Sequence, residues 1–271
     1  MTKILKLNNE KPEVEENQGT SRRNFLKWSS AAALTAFAFG ALNPESLSAK
    51  TAFLGLPVEP LQKSVDLGKG DFAVLNYAYA LEQLEAAFYT QAVGTPYSGM
   101  NSAERQILTQ IRDHEIAHRE FFKAALGKKA IPGLQVNFTA IDFGNRESVL
   151  GTAKTFEDLG VAAYNGAGQF LENGDFLLIA GKIVSVEARH AATIRDLLQP
   201  MSSFFAGDDV VDPATGLGLA KMPSEVLTAA APFIKTSIKA GGLTKMEMMP
   251  KDNMKNKDMK NKSNNMRGNN E

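Results

Sequence analysis

The chain has 271 residues, with 30 basic side chains against 30 acidic ones and no cysteine. The missing thiols exclude disulfides, thiolate zinc sites, iron–sulfur clusters and cysteine nucleophiles. The balanced charge argues against a nucleic-acid-binding protein. With 44% hydrophobic residues the composition is globular, and the length fits one sizeable domain with attachments or two small ones.

In chain order, residues 1–20 are polar, and Ser21-Arg22-Arg23-Asn24-Phe25-Leu26-Lys27 then leads into an apolar stretch from Trp28 to Leu42. Small residues at Leu47-Ser48-Ala49 follow. A basic region, an apolar segment and a trimming site in that order read as an export signal. The apolar run Ala31–Phe39 is well short of the roughly 20 residues of a spanning helix, so no permanent membrane span is expected. The paired arginines resemble a twin-arginine signal. That resemblance implies cleavage after Ala49, export of a folded chain by the twin-arginine translocation machinery, and residence in the periplasm or cell envelope of a bacterium. Residues 50–70 read as a linker.

Four helical patterns come next. Phe72, Leu75, Ala78, Leu81, Leu84 and Phe88 recur at three- and four-residue steps between Asp71 and about Val93. The second pattern starts at Asn101 or Ser102, where Asn101 and Glu104 form a capping box, and runs to Leu126. The third runs from Glu147 to Leu171 with Asn145 as its cap. The fourth follows Asn173-Gly174-Asp175 and stops before Pro200. The first and last connections are short and make antiparallel neighbours, whereas Gly127–Arg146 is a long crossover. The expected fold is therefore all-α: a four-helix bundle over residues 71–199 with one long crossover between helices two and three. A C-terminal extension, 200–245, carries a short helix over Ser224–Ile238. Residues 246–271, rich in Met, Lys and Asn with no apolar period to bury, are expected to be a disordered tail.

The functional signal lies where polar residues interrupt the apolar stripes. Helix two reads Leu108, Ile111, Glu115, His118, Phe122 and Ala125. Helix four reads Phe176, Ile179, Ile183, Glu187, His190, Ile194 and Leu197. Each stripe carries Glu-x-x-His at its middle, and positions three apart project from one helix face. Helices one and three share Glu-x-Leu-x-x-Ala-x-Tyr, giving Glu82 with Tyr89 and Glu157 with Tyr164. Glu85 aligns with Gly160, so Glu82 is the better ligand candidate, and Glu85 is read as a surface or supporting carboxylate. His114, Asp113 and Glu120 flank the motif and are read as solvated. The two tyrosines are candidates to hydrogen-bond a ligating carboxylate or lend an electron, or simply to pack with a satisfied hydroxyl.

The order Glu, Glu-x-x-His, Glu, Glu-x-x-His resembles the ferritin-like di-metal carboxylate superfamily. Leu81–Tyr89 and Val186-Glu187-Ala188-Arg189-His190-Ala191 are further similar to exported bacterial ferritin-like proteins related to desiccation-associated proteins. The resemblance implies two iron or manganese ions. Glu115 and Glu187 would bridge them, Glu82 with His118 would complete one ion, and Glu157 with His190 the other. It implies a redox-active centre acting on Fe(II), peroxide or dioxygen, and it leaves open association into a homo-oligomer. The alternative is a non-enzymatic stress or desiccation protein whose metal is structural.

Overall fold

A computed structural model describes residues 64–247. The signal sequence and nearly all of the tail read from the sequence lie outside the described residues. Four long helices form the body: α1 (Asp71–Gly94), α2 (Ser102–Leu126), α3 (Arg146–Ala167) and α4 (Gly174–Leu198). Three small elements complete the described chain besides short 3-10 turns: α5 (Pro223–Ala230), α6 (Gly241–Glu247), and a parallel ribbon of β1 (Val65–Asp66) with β2 (Ile238–Lys239). None of the described helices is long and apolar enough to cross a membrane.

The helix starts are set by side chains that satisfy otherwise unpaired backbone N–H groups. Asn101 Oδ1 accepts from Glu104 N at 2.9 Å, and Glu104 Oε2 accepts from Asn101 N at 3.3 Å, the reciprocal pair expected from the sequence. Asn145 Oδ1 accepts from Ser148 N, and Asn173 Oδ1 from Asp175 N. Arg146, at the start of α3, donates from Nε to Glu104 Oε1 at 2.7 Å, at the start of α2. The two N-termini therefore sit side by side, so α2 and α3 run parallel, as the long crossover requires. Asp71 takes the backbone N–H groups of Glu172 and Asn173 at 2.8 and 3.0 Å, fastening the start of α1 to the α3–α4 turn.

Helix α1 is buried on nearly every side. Its polar outer face hydrogen-bonds the crossover: Asn76 Nδ2 donates to Lys129 O, Asn76 Oδ1 accepts from Ile131 N, and Gln83 Oε1 accepts from Leu134 N. The crossover has its own anchor, an antiparallel bridge between Val136 and Ile234. Crossover, extension and β1 thus lie together over α1.

Three expectations are corrected. Helix α3 stops at Ala167 and not at Leu171, because a 3-10 turn, Gly168–Phe170, follows the Gly166-Ala167-Gly168 sequence. Gly166 is obligatory there: an added Cβ would stand 1.8 Å from Lys221 O. The helix expected over Ser224–Ile238 ends at Ala230. Pro232 lies in the 3-10 turn after it, and Ile238–Lys239 extends to pair with β1. That pairing also makes residues 65–66 a strand and not linker. Gly241-Gly242 open α6, which buries Leu243 and runs one residue past Met246.

One cation pins the extension to the bundle. Arg195 on α4 is 1% exposed and donates from Nε and Nη2 to Asp158 on α3, both at 2.8 Å. It also donates to Asp209 at 3.0 and 2.6 Å and to Phe204 O, and it stacks over the Phe204 ring. Removing the guanidinium leaves Asp158 with Lys154 Nζ, 3.2 Å away, as its remaining charged partner. Arg195→Ala is expected to destabilise folding by about 2 kcal/mol, through the lost charge-assisted hydrogen bonds. Arg195→Lys should recover little, because an ammonium cannot form two forked pairs. Urea denaturation midpoints measure both, and an unchanged midpoint for the alanine variant would contradict this role.

Candidate metal centre

Each long helix delivers its polar residues to one level of the bundle. Glu82 comes from α1, Glu115 and His118 from α2, Glu157 from α3, and Glu187 and His190 from α4. Glu115, Glu157 and Glu187 are fully buried, Glu82 and His190 nearly so, and the His118 side chain is 14% exposed. Leu108, Ile111, Phe122, Ile183 and Ile194, from the same stripes, close the layers on either side of this level.

Ligand atoms fall into two sets, each within 4.8 Å of one another. One comprises Glu82, Glu115, His118 and Glu187, and the other Glu115, Glu157, Glu187 and His190. His118 Nδ1 lies 2.8 Å from Glu187 Oε1, 3.5 Å from Glu82 Oε2 and 3.8 Å from Glu115 Oε2. His190 Nδ1 lies 2.8 Å from Glu115 Oε1, 3.3 Å from Glu187 Oε2 and 3.5 Å from Glu157 Oε2. Glu115 and Glu187 therefore divide their oxygens, one toward each imidazole. That is the disposition of carboxylates that bridge two cations.

These contacts pair imidazole with carboxylate but lack hydrogen-bond alignment. Glu82 Oε2, both oxygens of Glu115 and of Glu187, Glu157 Oε2, and Nδ1 of His118 and of His190 are all buried without a hydrogen-bond partner. Leaving so many buried polar atoms unpaired costs about 1–3 kcal/mol for each one, and more where the group is charged. Two divalent cations, one in each set, would satisfy all of them and bring four positive charges to four carboxylates. Oxygen with imidazole nitrogen is a donor set that suits iron or manganese. The residues present fit such a pair.

Both tyrosines bind carboxylates, and each reaches across to the other helix pair. Tyr89 on α1 donates to Glu157 Oε1 on α3 at 2.5 Å, and Tyr164 on α3 donates to Glu82 Oε1 on α1. The shared Glu–Tyr spacing is thus an exchange between α1 and α3. Long helical side chains lean toward the helix N-terminus, which brings each phenol back to the level of the glutamates. Burial, then the facing glutamates, push both hydroxyls well above the ordinary phenol range, so they remain donors. Each leaves the second oxygen of its glutamate free for the centre.

Two flanking residues differ from expectation. His114, read as solvated, is exposed on α2, yet its Nδ1 lies 2.8 Å from His190 Nε2 with the two rings stacked. That contact holds His190 with Nδ1 turned toward the cluster. The missed signal is its position one turn before His118, at a four-residue step along the same helix. Glu85 is not on the surface: it is 4% exposed, and its Oε1 is 3.1 Å from where a Cβ on Gly160 would stand. Burial, and then the charges of Glu115, Glu187, Glu157 and Glu82, raise its pKa well above the carboxylate range. The glycine aligned with Glu85 is the space that carboxyl occupies. Asp113 is exposed and pairs with Arg112, while the partly exposed Glu120 pairs with Arg119, as solvated neighbours should.

Residues 70–200 match the ferritin-like domain family. The bundle is a ferritin-like fold. No curated protein is a significant match to the chain. The ferritin-like match covers all four long helices and all six residues of the cluster.

Without cations, the electrostatics of the cluster depend on pH. Burial lowers His190, but its contacts with Glu115, Glu157 and Glu187 outweigh that and hold it at about 12. The same balance, through Glu115, Glu187 and Glu82, raises His118. Burial raises Glu157 to about 7 despite His190 and Tyr89. Against its burial, Glu187 is held near 2 by the two imidazoles. A cation must displace the imidazole protons, so its affinity should rise with pH. Uptake should release about two protons or more per chain at neutral pH, and more below about 7, where Glu157 also carries one. Calorimetry in buffers of different ionisation heat measures the count, and no proton release would contradict this arrangement.

Proposed function

We propose that this ferritin-like bundle holds two redox-active iron or manganese ions and works as an exported oxidoreductase, delivered to the bacterial cell envelope by the twin-arginine translocation machinery. The observation that carries the metal reading is the set of eight buried, unpartnered donor atoms in two overlapping groups. A hydrogen-bonded polar core would have paired these atoms with one another or with backbone.

When bound, two Fe(II) ions supply one electron each, enough with two protons to reduce dioxygen to hydrogen peroxide or hydrogen peroxide to water. The remaining roles belong to the chain. Tyr89 and Tyr164 fix the terminal carboxylates Glu157 and Glu82 through one oxygen each. His114 orients His190 from outside the cluster. Phe122, Phe156 and Leu84, each at most 2% exposed, keep bulk water from the buried carboxylates. Among the described residues none beyond the six belongs to either ligand set, and a di-metal site with open positions can receive a small oxidant. Fe(II) oxidation and peroxide reduction draw on the same geometry.

Purified protein is expected to contain about two iron or manganese ions per chain and to oxidise Fe(II) or decompose peroxide. Glu115→Ala removes an oxygen from both sets and should lose both ions. His118→Ala should lose mainly the ion of its own set, with turnover falling about a hundredfold or more in each variant. Elemental analysis with stopped-flow oxidation measures this. Two bound ions with no turnover of Fe(II), dioxygen or peroxide would overturn the redox reading and leave a structural metal site. A native protein without metal would overturn both.

A further inference from the structure

Among the four long helices, only α4 exposes large apolar side chains: Leu177 and Leu178 are 48% and 59% exposed. Ile183, Glu187, His190 and Ile194 form its buried stripe. On the opposite side Gly174, Leu178, Gly181 and Ser185 recur at three- and four-residue steps, and all four are exposed. This outer stripe carries no charge, and the Ser185 hydroxyl is turned back onto Lys182 O at 2.7 Å. Gly181 lies well inside the helix, where glycine weakens helical structure relative to alanine. A Cβ added there would meet nothing within 4 Å. Packing within the described chain therefore gives no reason for this glycine, whereas the close approach of another helix from outside does.

The two flanks of the stripe differ. On the α3 side, Leu177 Cδ1 lies 3.5 Å from where a Cβ on Gly168 would stand. The extension runs beside it: Asn165 Nδ2 donates to Leu219 O and Lys221 N to Ala162 O, both at 3.0 Å. That direction carries Leu217, 67% exposed, toward the level of Leu177. On the other flank stand Asp175 and Lys182, both exposed, and neither takes part in an ion pair among the described residues. They are two turns apart, about 10 Å along the axis, and equally distant from the peptide joining Leu178 to Ile179. A two-fold axis through that point turns a second α4 antiparallel to the first. It sets Asp175 of each copy against Lys182 of the other and brings the two Leu178–Gly181 turns together. The strands holding Leu217 and Leu219 then meet on the opposite flank.

We propose that this outer face of α4 is the contact surface of a two-fold dimer, its occupant a second copy of the same chain. Self-complementarity selects that occupant. An isologous contact presents one patch to itself, so each charge must meet its opposite after rotation, and Asp175 and Lys182 are spaced to do so. An anionic lipid surface calls for clustered basic side chains instead, and this face balances one acid with one base. Exposed apolar patches rimmed by polar residues mark interaction sites. The proposal is independent of the redox reading, because Glu187 and His190 project from the opposite side of α4.

Sedimentation velocity of the purified full chain over a concentration series should show a reversible monomer–dimer equilibrium. Leu178→Glu buries a charge in the contact and should leave monomer only. Gly181→Gln blocks the close approach and should do the same, yet improve the helix, so the variant should unfold at a urea concentration no lower than the unaltered chain diluted to monomer. Asp175→Lys and Lys182→Asp each place like charges together and should weaken association about tenfold or more. The double variant exchanges the two charges and should recover the dimer. Circular dichroism and metal content should be unchanged throughout. A chain that stays monomeric at every soluble concentration would overturn the proposal, as would a dimer undiminished in both Leu178→Glu and Gly181→Gln. A double variant no tighter than either single reversal would overturn the antiparallel two-fold arrangement. Monomer that instead sediments with phospholipid vesicles, and loses them in Leu178→Glu, would assign the face to a lipid surface and overturn the dimer.

Discussion

Charge confined in a dry volume governs this molecule. Four carboxylates and two imidazoles share the middle of the bundle, and among the described residues no lysine or arginine forms an ion pair with any of the six. Transfer of each ionised group from water costs several kcal/mol even after relaxation. Protonating the imidazoles offsets part of that penalty, but it leaves donor atoms without partners. Divalent cations remove both difficulties together. The apolar layers above and below, from Leu108 and Ile111 to Ile183 and Ile194, can be read as the scaffold that tolerates this arrangement. They supply burial, which stabilises by about 25 cal/mol for each Å² of apolar surface removed from water, while the centre opposes it.

Two-fold repetition organises the centre, and its exceptions carry information. Glu82, Tyr89, Glu115 and His118 on the first helix pair mirror Glu157, Tyr164, Glu187 and His190 on the second. The tyrosine exchange between α1 and α3 makes the pairs interdependent, because each fixes a carboxylate of the other. Symmetry fails at two points. Glu85 has Gly160 as its counterpart, so one buried carboxyl stands where the other half has only space. His190 is backed by His114, which no residue of the second pair matches for His118. The two ligand sets are consequently chemically unlike. One has a stacked imidazole fixing its histidine, and the other lies beside the more exposed ring.

Most of this architecture was legible because periodicity and loop length are local properties. Caps at Asn101, Asn145 and Asn173, the two Glu-x-x-His steps, and the parallel run of α2 and α3 implied by the crossover all follow from neighbours in sequence. What stayed hidden depends on distant segments. The ribbon of Val65–Asp66 with Ile238–Lys239 joins two pieces with no pattern of their own. The shortened α3 reflects the approach of Lys221 to Gly166. Glu85 could be read as a surface or a supporting carboxylate because its burial is created by α3, and His114 looked solvated because its partner is on α4. The alignment of Glu85 with Gly160 held the clue, since a glycine at one symmetric position made room for a side chain at the other.

Anomalous diffraction from crystals of the purified protein, collected on both sides of the iron and manganese absorption edges, tests the central claim most directly. The account predicts two peaks inside the bundle. One should be ligated by Glu82 and His118, the other by Glu157 and His190, with Glu115 and Glu187 shared between them. Density showing only water there, or the six side chains hydrogen-bonded among themselves without an anomalous scatterer after reconstitution with either metal, would contradict it.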